Sequence, residues 1–188
     1  MDDAYNKAHG NSKELAFWSR QGIPVLTACP SCALMLQHEY RDLFPKETDF
    51  GNHAGHVIDI CVFIADLIRA RTLDVSGARP GMAKLAYHAP CHACIQGRGR
   101  MELELLSTIP CLETTDMDSG CCGIAGSYGF KRGKYEIGMR VGAPLFAALR
   151  EYNALFAASE CGTCRLQIRH SSGIEAIHPI SIALYFLA

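Results

Sequence analysis

The sequence predicts an α/β fold with a mainly parallel sheet and flanking helices. Short β-type runs alternate with longer helical ones along most of the chain, and such a βαβα alternation is typical of parallel sheets. Two of the β-type runs are each followed by a Cys-x-x-Cys pair and an amphipathic helix. The chain has 188 residues, of which 49% are hydrophobic, so it is long and apolar enough to bury a substantial core.

The first third of the chain contains one predicted strand and two predicted helices. Residues 24–28 form a short β-type run, and residues 32–44 carry apolar side chains at helical spacing. Residues 57–70 show a strong helical pattern, because their apolar residues recur at intervals of three and four. The polar segment 72–80 is the predicted linker.

The rest of the chain continues to alternate between strand and helix. In chain order we predict strand 84–88, a helix near 99–108, strand 112–116, a Gly-rich loop, helix 134–153, strand 154–158, strand 175–178 and a short apolar helix over 180–188. The last helix is too short to cross a bilayer. Core packing is therefore its expected role, and contact with a membrane surface is the alternative.

The chain also contains a weak internal repeat. Residues 25–36 and 156–168 both read as a strand, a Cys-x-x-Cys pair and an amphipathic helix. We predict that residues 1–71 contain the tail of a first, truncated repeat plus a connecting helix. Residues 81–188 would then contain one complete repeat with the functional site. A chance similarity of two βα units is the alternative.

Composition and charge exclude several classes of protein. Eighteen basic and nineteen acidic residues give a formal net charge of −1, which leaves no electrostatic footprint for nucleic acid. The first residues lack the basic and apolar segments of a signal peptide, and no apolar stretch reaches the roughly 18 residues of a membrane span. We therefore expect a cytoplasmic protein whose ten cysteines are reduced and act as ligands or redox groups.

Five cysteines are the candidate metal ligands: Cys91, Cys121, Cys122, Cys161 and Cys164. They follow predicted strands, and the loops after parallel strands converge at the carboxyl edge of the sheet. Five thiolates exceed the four ligands of a structural zinc ion. The side chains of adjacent cysteines are expected to diverge, which suits different irons of one cluster better than two corners of one ion. The pattern therefore favours an iron–sulfur cluster.

Glycines and histidines next to these cysteines are candidate supporting residues. Gly120 and Gly123 flank the adjacent cysteine pair, where they allow positive φ and bring backbone amides close to the cluster sulfurs. His88 and His92 flank Cys91. Each histidine is either a donor or proton carrier at the site or an ordinary histidine at a strand end, and the sequence leaves both readings open.

The other cysteines have weaker assignments. Cys61 lies in an apolar helical stripe and Cys111 follows a proline, so both are predicted to be structural. Cys94 is predicted to be a bystander, with a ligand or redox role as the alternative. Cys29 and Cys32 form an incomplete second site, and a thioredoxin-like dithiol is the alternative.

The cysteine pattern resembles that of a known family. The spacing Cys91–x29–Cys121-Cys122-Gly123–x37–Cys161-x-x-Cys164 is similar to that of the cysteine-rich CCG domain, which occurs in the B subunit of heterodisulfide reductase and in glycolate oxidase iron–sulfur subunits. The surrounding words most resemble the C subunits of anaerobic glycerol-3-phosphate dehydrogenases. These words are Tyr87-His-Ala-Pro-Cys-His92, Cys121-Cys-Gly-Ile-Ala-Gly-Ser-Tyr-Gly-Phe-Lys131 and His178-Pro179.

The chain also departs from the full family pattern. Its first repeat lacks the leading cysteine and the CCG triplet, although residues 29–36 resemble the end of such a repeat. It has no run of Cys-x2-Cys-x2-Cys typical of a ferredoxin module, and Cys94 stands where another residue type is expected. We therefore expect the C-terminal part of a longer protein or a naturally split subunit.

The resemblance implies a cofactor and a function. In relatives such motifs can hold a noncubane [4Fe-4S] cluster through all five cysteines, and in some relatives one repeat holds zinc. The implied function is electron transfer in a membrane-associated dehydrogenase, from a flavoprotein subunit toward a quinone, at the inner face of the cell membrane. A zinc-stabilised interaction module without a redox role is the first alternative. A thiol–disulfide reductase similar to heterodisulfide reductase is the second.

Overall fold

The computed structural model describes residues 2–46, 53–74, 83–97, 100–110 and 112–187. The chain divides into two compact units, residues 1–63 and residues 64–188. Cys111 and most of the predicted linker lie outside the described residues. The structural role of Cys111 therefore stays a prediction.

The first unit contains a two-stranded parallel sheet. Its elements are α1 (Asp2–Ser19), β1 (Val25–Thr27), α2 (Pro30–Leu34), a π-helical segment (Met35–Glu39), α3 (Tyr40–Leu43), a 3₁₀ turn (Ala54–His56) and β2 (Val57–Asp59). Val25 of β1 lies opposite Val57 of β2. Parallel neighbours need a crossover connection, and the helical segments after β1 provide it. Pro30 occupies the start of α2, where its fixed φ suits the first helical turn.

The predicted helix over residues 57–70 is wrong at its start. Val57–Asp59 pair with β1 as a strand, and the helix α4 runs over Ile60–Arg69. The Asp59 carboxylate accepts a hydrogen bond of 2.8 Å from the Cys61 amide. This contact satisfies one of the free N–H groups at the helix start and marks the change from strand to helix.

The second unit is built on a four-stranded parallel sheet in the order β4–β3–β5–β6. Its strands are β3 (Ala83–Tyr87), β4 (Leu112–Asp116), β5 (Phe156–Ala158) and β6 (Ala176–Ile177). Leu85 of β3 lies opposite Thr114 of β4 and Phe156 of β5. The chain therefore leaves the central strand β3 toward one side and returns on the other. Sheets of this kind place ligands at the carboxyl ends of such strands.

Helices connect the strands of the second unit. They are α5 (Cys91–Ile95), α6 (Met101–Ser107), α7 (Tyr135–Tyr152), α8 (Gly162–Ser172) and α9 (Pro179–Leu187), and the boundary with the first unit falls within α4. α7 buries one face, because Gly138, Gly142, Leu145 and Leu149 recur at spacings of three and four. It ends at Asn153, which has the left-handed conformation typical of a helix terminus.

The hydrophobic core of the second unit includes three of the candidate ligands. Cys122, Cys161 and Cys164 are buried in one cluster with apolar residues of β3, β5, α7 and α8. Burial in such surroundings makes an isolated thiolate costly. These cysteines are therefore placed where either a shared proton or a bound cation must balance any thiolate charge.

The C-terminal helix α9 is buried on one face only. Ile182, Ala183 and Phe186 lie in the core, whereas Leu184 is 68% exposed and Tyr185 is 61% exposed. The predicted core helix is therefore confirmed for half of its surface. No helix within the described ranges is long and apolar enough to cross a membrane.

Candidate metal centre

Three loops at one edge of the four-stranded sheet carry the five candidate ligands. Cys91 follows β3 and is the first residue of α5. Cys121 and Cys122 lie in the irregular loop after β4. Cys161 is the N-cap of α8, after β5, and Cys164 lies in its first turn. The three loops leave the same edge because β4, β3 and β5 are parallel neighbours.

The deep end of this site is formed by His88, Cys122 and Cys164. The Sγ atoms of the two cysteines are 3.1 Å apart. One ring nitrogen of His88 and these two sulfurs all lie within 4.8 Å of one another. Each of the three side chains is at most 3% exposed. Two thiol sulfurs and an imidazole nitrogen are donors that iron and zinc prefer, so the residues present fit a metal centre.

Cys91, Cys121 and Cys161 complete the group around these two buried cysteines. Burial, together with the neighbouring Cys122 and Cys161, raises the pKa of the Cys91 thiol. A hydrogen bond with Cys122 raises the pKa of Cys121, and a hydrogen bond from Cys164 lowers that of Cys161. The structure therefore brings all five predicted ligands together.

The adjacent pair Cys121 and Cys122 lies between two glycines. The two thiols influence each other's pKa, which is raised at Cys121 and lowered at Cys122. Gly120 and Gly123 both have positive φ, at 82° and 83°, and they bend the backbone on either side of the pair. The two cysteines still have different surroundings, because Cys122 is buried while Cys121 is partly exposed.

Hydrogen bonds favour the thiolate form at two positions. Bonds from Cys121 and Cys164 lower the pKa of Cys122 well below its usual range. Bonds from Cys164 and from Thr163, whose Oγ1 lies 3.1 Å from Cys161 Sγ, lower the pKa of Cys161 to about 5. The donors Cys121 and Cys164 have raised pKa values in turn. Because the thiolate is the form that binds metals, this arrangement prepares the site for a cation.

The loop that carries the cysteine pair packs very closely on α7. The Gly123 amide donates to Cys121 Sγ at 3.3 Å. A Cβ at Gly123 would lie 1.9 Å from the carbonyl oxygen of Gly138, and one at Gly142 would lie 2.5 Å from the carbonyl oxygen of Cys122. Glycine permits this approach. The positive φ predicted for Gly123 is confirmed, and the approach of its amide to cluster sulfurs stays a prediction.

The outer end of the site opens into a cavity of about 770 Å³. Its lining includes His88, Cys91, Cys94, Arg100, Asp116 and Cys121. The Arg100 guanidinium is paired with the carboxylates of Asp116 at 2.9 Å and Asp118 at 3.1 Å. Cys91 is exposed. One side of the site therefore lies in the apolar core, and the other side opens to a cavity that a partner or a small molecule can reach.

A buried polar group next to the ligands was missed by the sequence analysis. The Tyr87 hydroxyl lies 2.9 Å from Glu160 Oε1 and 3.1 Å from Glu102 Oε2. All three side chains are at most 1% exposed, and burial with the two carboxyl groups raises the pKa of Tyr87. The group links the end of β3, α6 and the residue before Cys161. Glu102 precedes Leu105 and Leu106 by three and four residues, which places it on the buried face of the helix. This spacing is the sequence feature from which its burial could have been predicted.

The remaining cysteines lie outside this group of five. Cys94 is exposed in the cavity wall, and burial and the neighbouring Cys91 raise its pKa. Cys61 is fully buried in α4, as its apolar stripe predicted. Cys29 and Cys32 belong to the first unit, where burial and the neighbouring Cys29 raise the pKa of Cys32. Within the described part of the chain, only the His88 group brings three donors close enough for one ion.

Comparison with known proteins agrees with the cysteine pattern. A family model described as a cysteine-rich domain, CCG, matches residues 85–169. The C subunit of the anaerobic glycerol-3-phosphate dehydrogenase of Escherichia coli K12 is 36% identical over 169 residues, which are 89% of this chain and 41% of that protein. The resemblance predicted from the sequence is confirmed.

Two archaeal proteins are also similar. The B subunit of the fumarate reductase (CoM/CoB) of Methanothermobacter marburgensis is 31% identical over 163 residues, 84% of this chain and 30% of that protein. An uncharacterized iron–sulfur protein of Methanocaldococcus jannaschii is 28% identical over 151 residues, 78% of this chain and 27% of that protein. The chain spans less than half the length of these relatives.

Proposed function

Because residues 85–169 match the model of the cysteine-rich CCG domain family, we propose that this chain is an iron–sulfur electron-transfer subunit of a membrane-associated dehydrogenase. Like the C subunit of anaerobic glycerol-3-phosphate dehydrogenase, which it resembles, it would relay electrons from a flavoprotein subunit toward a quinone. The observation that carries the proposal is the convergence of the pair Cys121 and Cys122 with three further cysteines at one sheet edge.

The proposed cofactor is one [4Fe-4S] cluster of the noncubane type, which supplies one-electron chemistry when bound. Its proposed ligands are Cys91, Cys121, Cys122, Cys161 and Cys164. Five sulfurs are more than a tetrahedral ion needs, and two of them favour the thiolate form before any metal is bound. The different surroundings of Cys121 and Cys122 support their binding to different irons.

The protein around the site controls access to it. Cys122 and Cys164 close the inner side, because both are part of the apolar core. The Gly123 amide donates to a ligand sulfur, and such bonds influence the potential of a bound cluster. Cys91 faces the cavity. A redox partner can therefore approach from the cavity side and not through the core.

The proposed partners are a flavoprotein dehydrogenase subunit and a quinone, and the proposed location is the inner face of the cell membrane. The exposed apolar side chains of α9, Leu184 and Tyr185, support a peripheral contact with the membrane surface or with a membrane-bound partner. The near-neutral net charge of −1 supports the absence of nucleic acid from the proposed partners.

Metal analysis of anaerobically purified protein tests the cofactor. We expect several irons and an equal amount of acid-labile sulfide in each chain. One zinc ion and no sulfide would contradict the proposal and support the zinc-stabilised interaction module, which the close group of His88, Cys122 and Cys164 also fits. Reconstitution with iron and sulfide in the presence of zinc would show which metal the site selects.

A relay assay tests the function. A reduced flavoprotein dehydrogenase subunit is mixed with a quinone analogue and with this chain, either loaded with its cluster or freed of it. We expect quinone reduction to be faster with the loaded chain. Equal rates in the two mixtures would contradict the relay.

The exposed position of Cys91 and Cys94 in the cavity also fits a thiol–disulfide reductase. A small disulfide offered to the reduced, loaded chain tests this second candidate. Stoichiometric thiol release would support the reductase. Quinone reduction without thiol release would support the relay.

A further inference from the structure

The imidazole of His88 lies among the ligand thiols and has no task in the ligand set proposed above. The side chain is 3% exposed. One ring nitrogen lies within 4.8 Å of the Sγ atoms of both Cys122 and Cys164. Its Nε2 atom is buried and has no hydrogen-bond partner among the described residues. Leaving a buried polar nitrogen without a partner is costly, so we expect this atom to meet a group that the chain itself does not supply.

The backbone holds the ring in this position. The His88 amide continues the sheet ladder, donating to the carbonyl oxygen of Ala158 at 2.9 Å. The preceding residue, Tyr87, is fully buried and its hydroxyl lies 2.9 Å from Glu160. His88 also lines the cavity next to the thiols. With the His88 amide and the preceding residue held in this way, the ring lies beside the thiols and is almost fully buried.

We propose that His88 is a positioning residue of the metal centre, which donates a ring N–H hydrogen bond to a sulfur atom on the Cys122 and Cys164 side. As far as the iron–sulfur cluster is concerned, this proposal rests on the proposed function.

Two consequences follow from such a bond. A donor directed at sulfur stabilises the more negative, reduced form of a cluster and therefore raises its reduction potential. A hydrogen-bond partner of the ligands also strengthens metal binding, and its loss typically lowers metal affinity about 10-fold to 100-fold. Both effects can be measured without an activity assay.

His92 provides a matched control. It flanks Cys91 on the other side in the sequence. It is half-buried and does not belong to the donor group around Cys122 and Cys164. Replacing His92 should therefore leave the potential and the metal affinity unchanged.

The first experiment uses the full chain loaded with iron and sulfide. Midpoint potentials are measured by redox titration with EPR detection for the wild type, His88→Leu, His88→Asn and His92→Leu. We expect a more negative potential for His88→Leu, a value close to wild type for His88→Asn, which keeps an N–H donor, and no shift for His92→Leu. A wild-type potential in His88→Leu with full iron would overturn the proposal.

A spectroscopic measurement covers the case in which His88→Leu does not fold. Protein labelled with ¹⁵N-histidine is reduced and studied by pulsed EPR. We expect a weak ¹⁵N coupling in the wild type and in His92→Leu, and its loss in His88→Asn. A strong coupling, typical of a directly bound nitrogen, would overturn the hydrogen bond in favour of a ligand, and an undiminished coupling in His88→Asn would overturn the assignment to His88.

The second experiment uses zinc alone as the probe and separates this proposal from the proposed function. If the wild type takes up no iron and sulfide, the proposed function fails, but the thiols around His88 still bind a test metal. Zinc affinity is then measured by competition with a chromogenic chelator. We expect a loss of about 10-fold to 100-fold in His88→Leu and no change in His92→Leu. Equal affinities in the two variants would overturn the role of His88.

Discussion

The cysteine thiols in and around the candidate metal centre differ in their pKa values, and therefore in how readily they form the thiolate. Hydrogen bonds from neighbouring thiols favour the thiolate of Cys122. Burial and the neighbouring Cys91 and Asp116 instead oppose the thiolate of Cys94. The ease with which each thiol loses its proton therefore depends on the donors and charges that surround its sulfur.

Serine variants test the assignment of ligands. Cys122→Ser replaces a soft sulfur with a hard oxygen in the buried centre of the group, so we expect it to lose most of its iron and to unfold at a lower temperature, since metal binding is coupled to folding. Serine at Cys91, Cys121, Cys161 or Cys164 should lower iron content in the same direction. Iron and sulfide are measured after anaerobic reconstitution.

Cys61→Ser is the matched control. Cys61 is as buried as Cys122 but belongs to α4, so a serine there should cost about 1–3 kcal/mol in stability while iron stays at the wild-type level. Full iron in Cys122→Ser, or equal iron loss in both variants, would contradict the ligand assignment.

A substitution of Tyr87 tests how much its buried hydroxyl contributes to stability. Tyr87→Phe leaves the buried carboxyl groups of Glu102 and Glu160 without their shared partner, which should lower the free energy of unfolding by about 1–3 kcal/mol. Tyr152→Phe is the control. Its hydroxyl accepts a hydrogen bond from Thr115 at 2.8 Å, but Thr115 is only half-buried, so we expect a loss of about 0.5–1.5 kcal/mol. Chemical denaturation measures both, and equal losses would count against a special role for the Tyr87 group.

The loop that carries Cys121 and Cys122 packs against α7, so this contact depends on two elements of the fold. Gly123 and Gly120 have nearly the same positive φ. A Cβ at Gly123 would lie 1.9 Å from the carbonyl oxygen of Gly138 in α7, whereas a Cβ at Gly120 would have nothing within 4 Å. An alanine at either position costs about 1–2 kcal/mol for its backbone conformation. At Gly123 the loop must in addition move away from the helix.

Two alanine variants therefore separate conformational strain from close approach. Gly120→Ala should lower the free energy of unfolding by about 1–2 kcal/mol and keep its iron. Gly123→Ala should cost at least about 3 kcal/mol and lose much of its iron, because the displaced loop carries Cys121 and Cys122. Denaturation and iron content measure the two effects. If the two variants behave alike, the close packing on α7 is not what positions the pair.

The elements and the site could be predicted to different degrees. The sequence predicts the strands that precede Cys91, Cys121 and Cys161, because each of these strands is a run of β-forming residues that can be recognised without knowledge of its neighbours. Val57–Asp59 were assigned to a helix, since a short apolar run is compatible with either structure and its pairing with Val25 is a tertiary contact. The interaction of Cys121 with Cys122 likewise depends on tertiary packing. So does the contact of Glu102 with Tyr87, and the spacing of residues in the sequence predicts neither.

Two of the three Cys-x-x-Cys segments of the chain, at Cys29 and at Cys161, lie in separate units. Cys161 and Cys164 lie in the second unit, among three further candidate ligands. Cys29 and Cys32 lie in the first unit, and in the described residues no third donor comes close enough to share an ion with them. A dithiol alone supplies two ligands, whereas an iron–sulfur cluster is typically held by at least four.

We therefore expect one cluster in each chain, with about four irons. A double variant, Cys29→Ser with Cys32→Ser, should retain the full iron and sulfide content and the EPR spectrum of the wild type, because both residues lie outside the group of five. The reverse double variant, Cys161→Ser with Cys164→Ser, should lose nearly all of its iron, since it removes two ligands from the one assembled site. Spectra that resolve two distinct clusters in the wild type, or the loss of half of the iron in the Cys29 and Cys32 variant, would show that the first unit binds a cluster of its own.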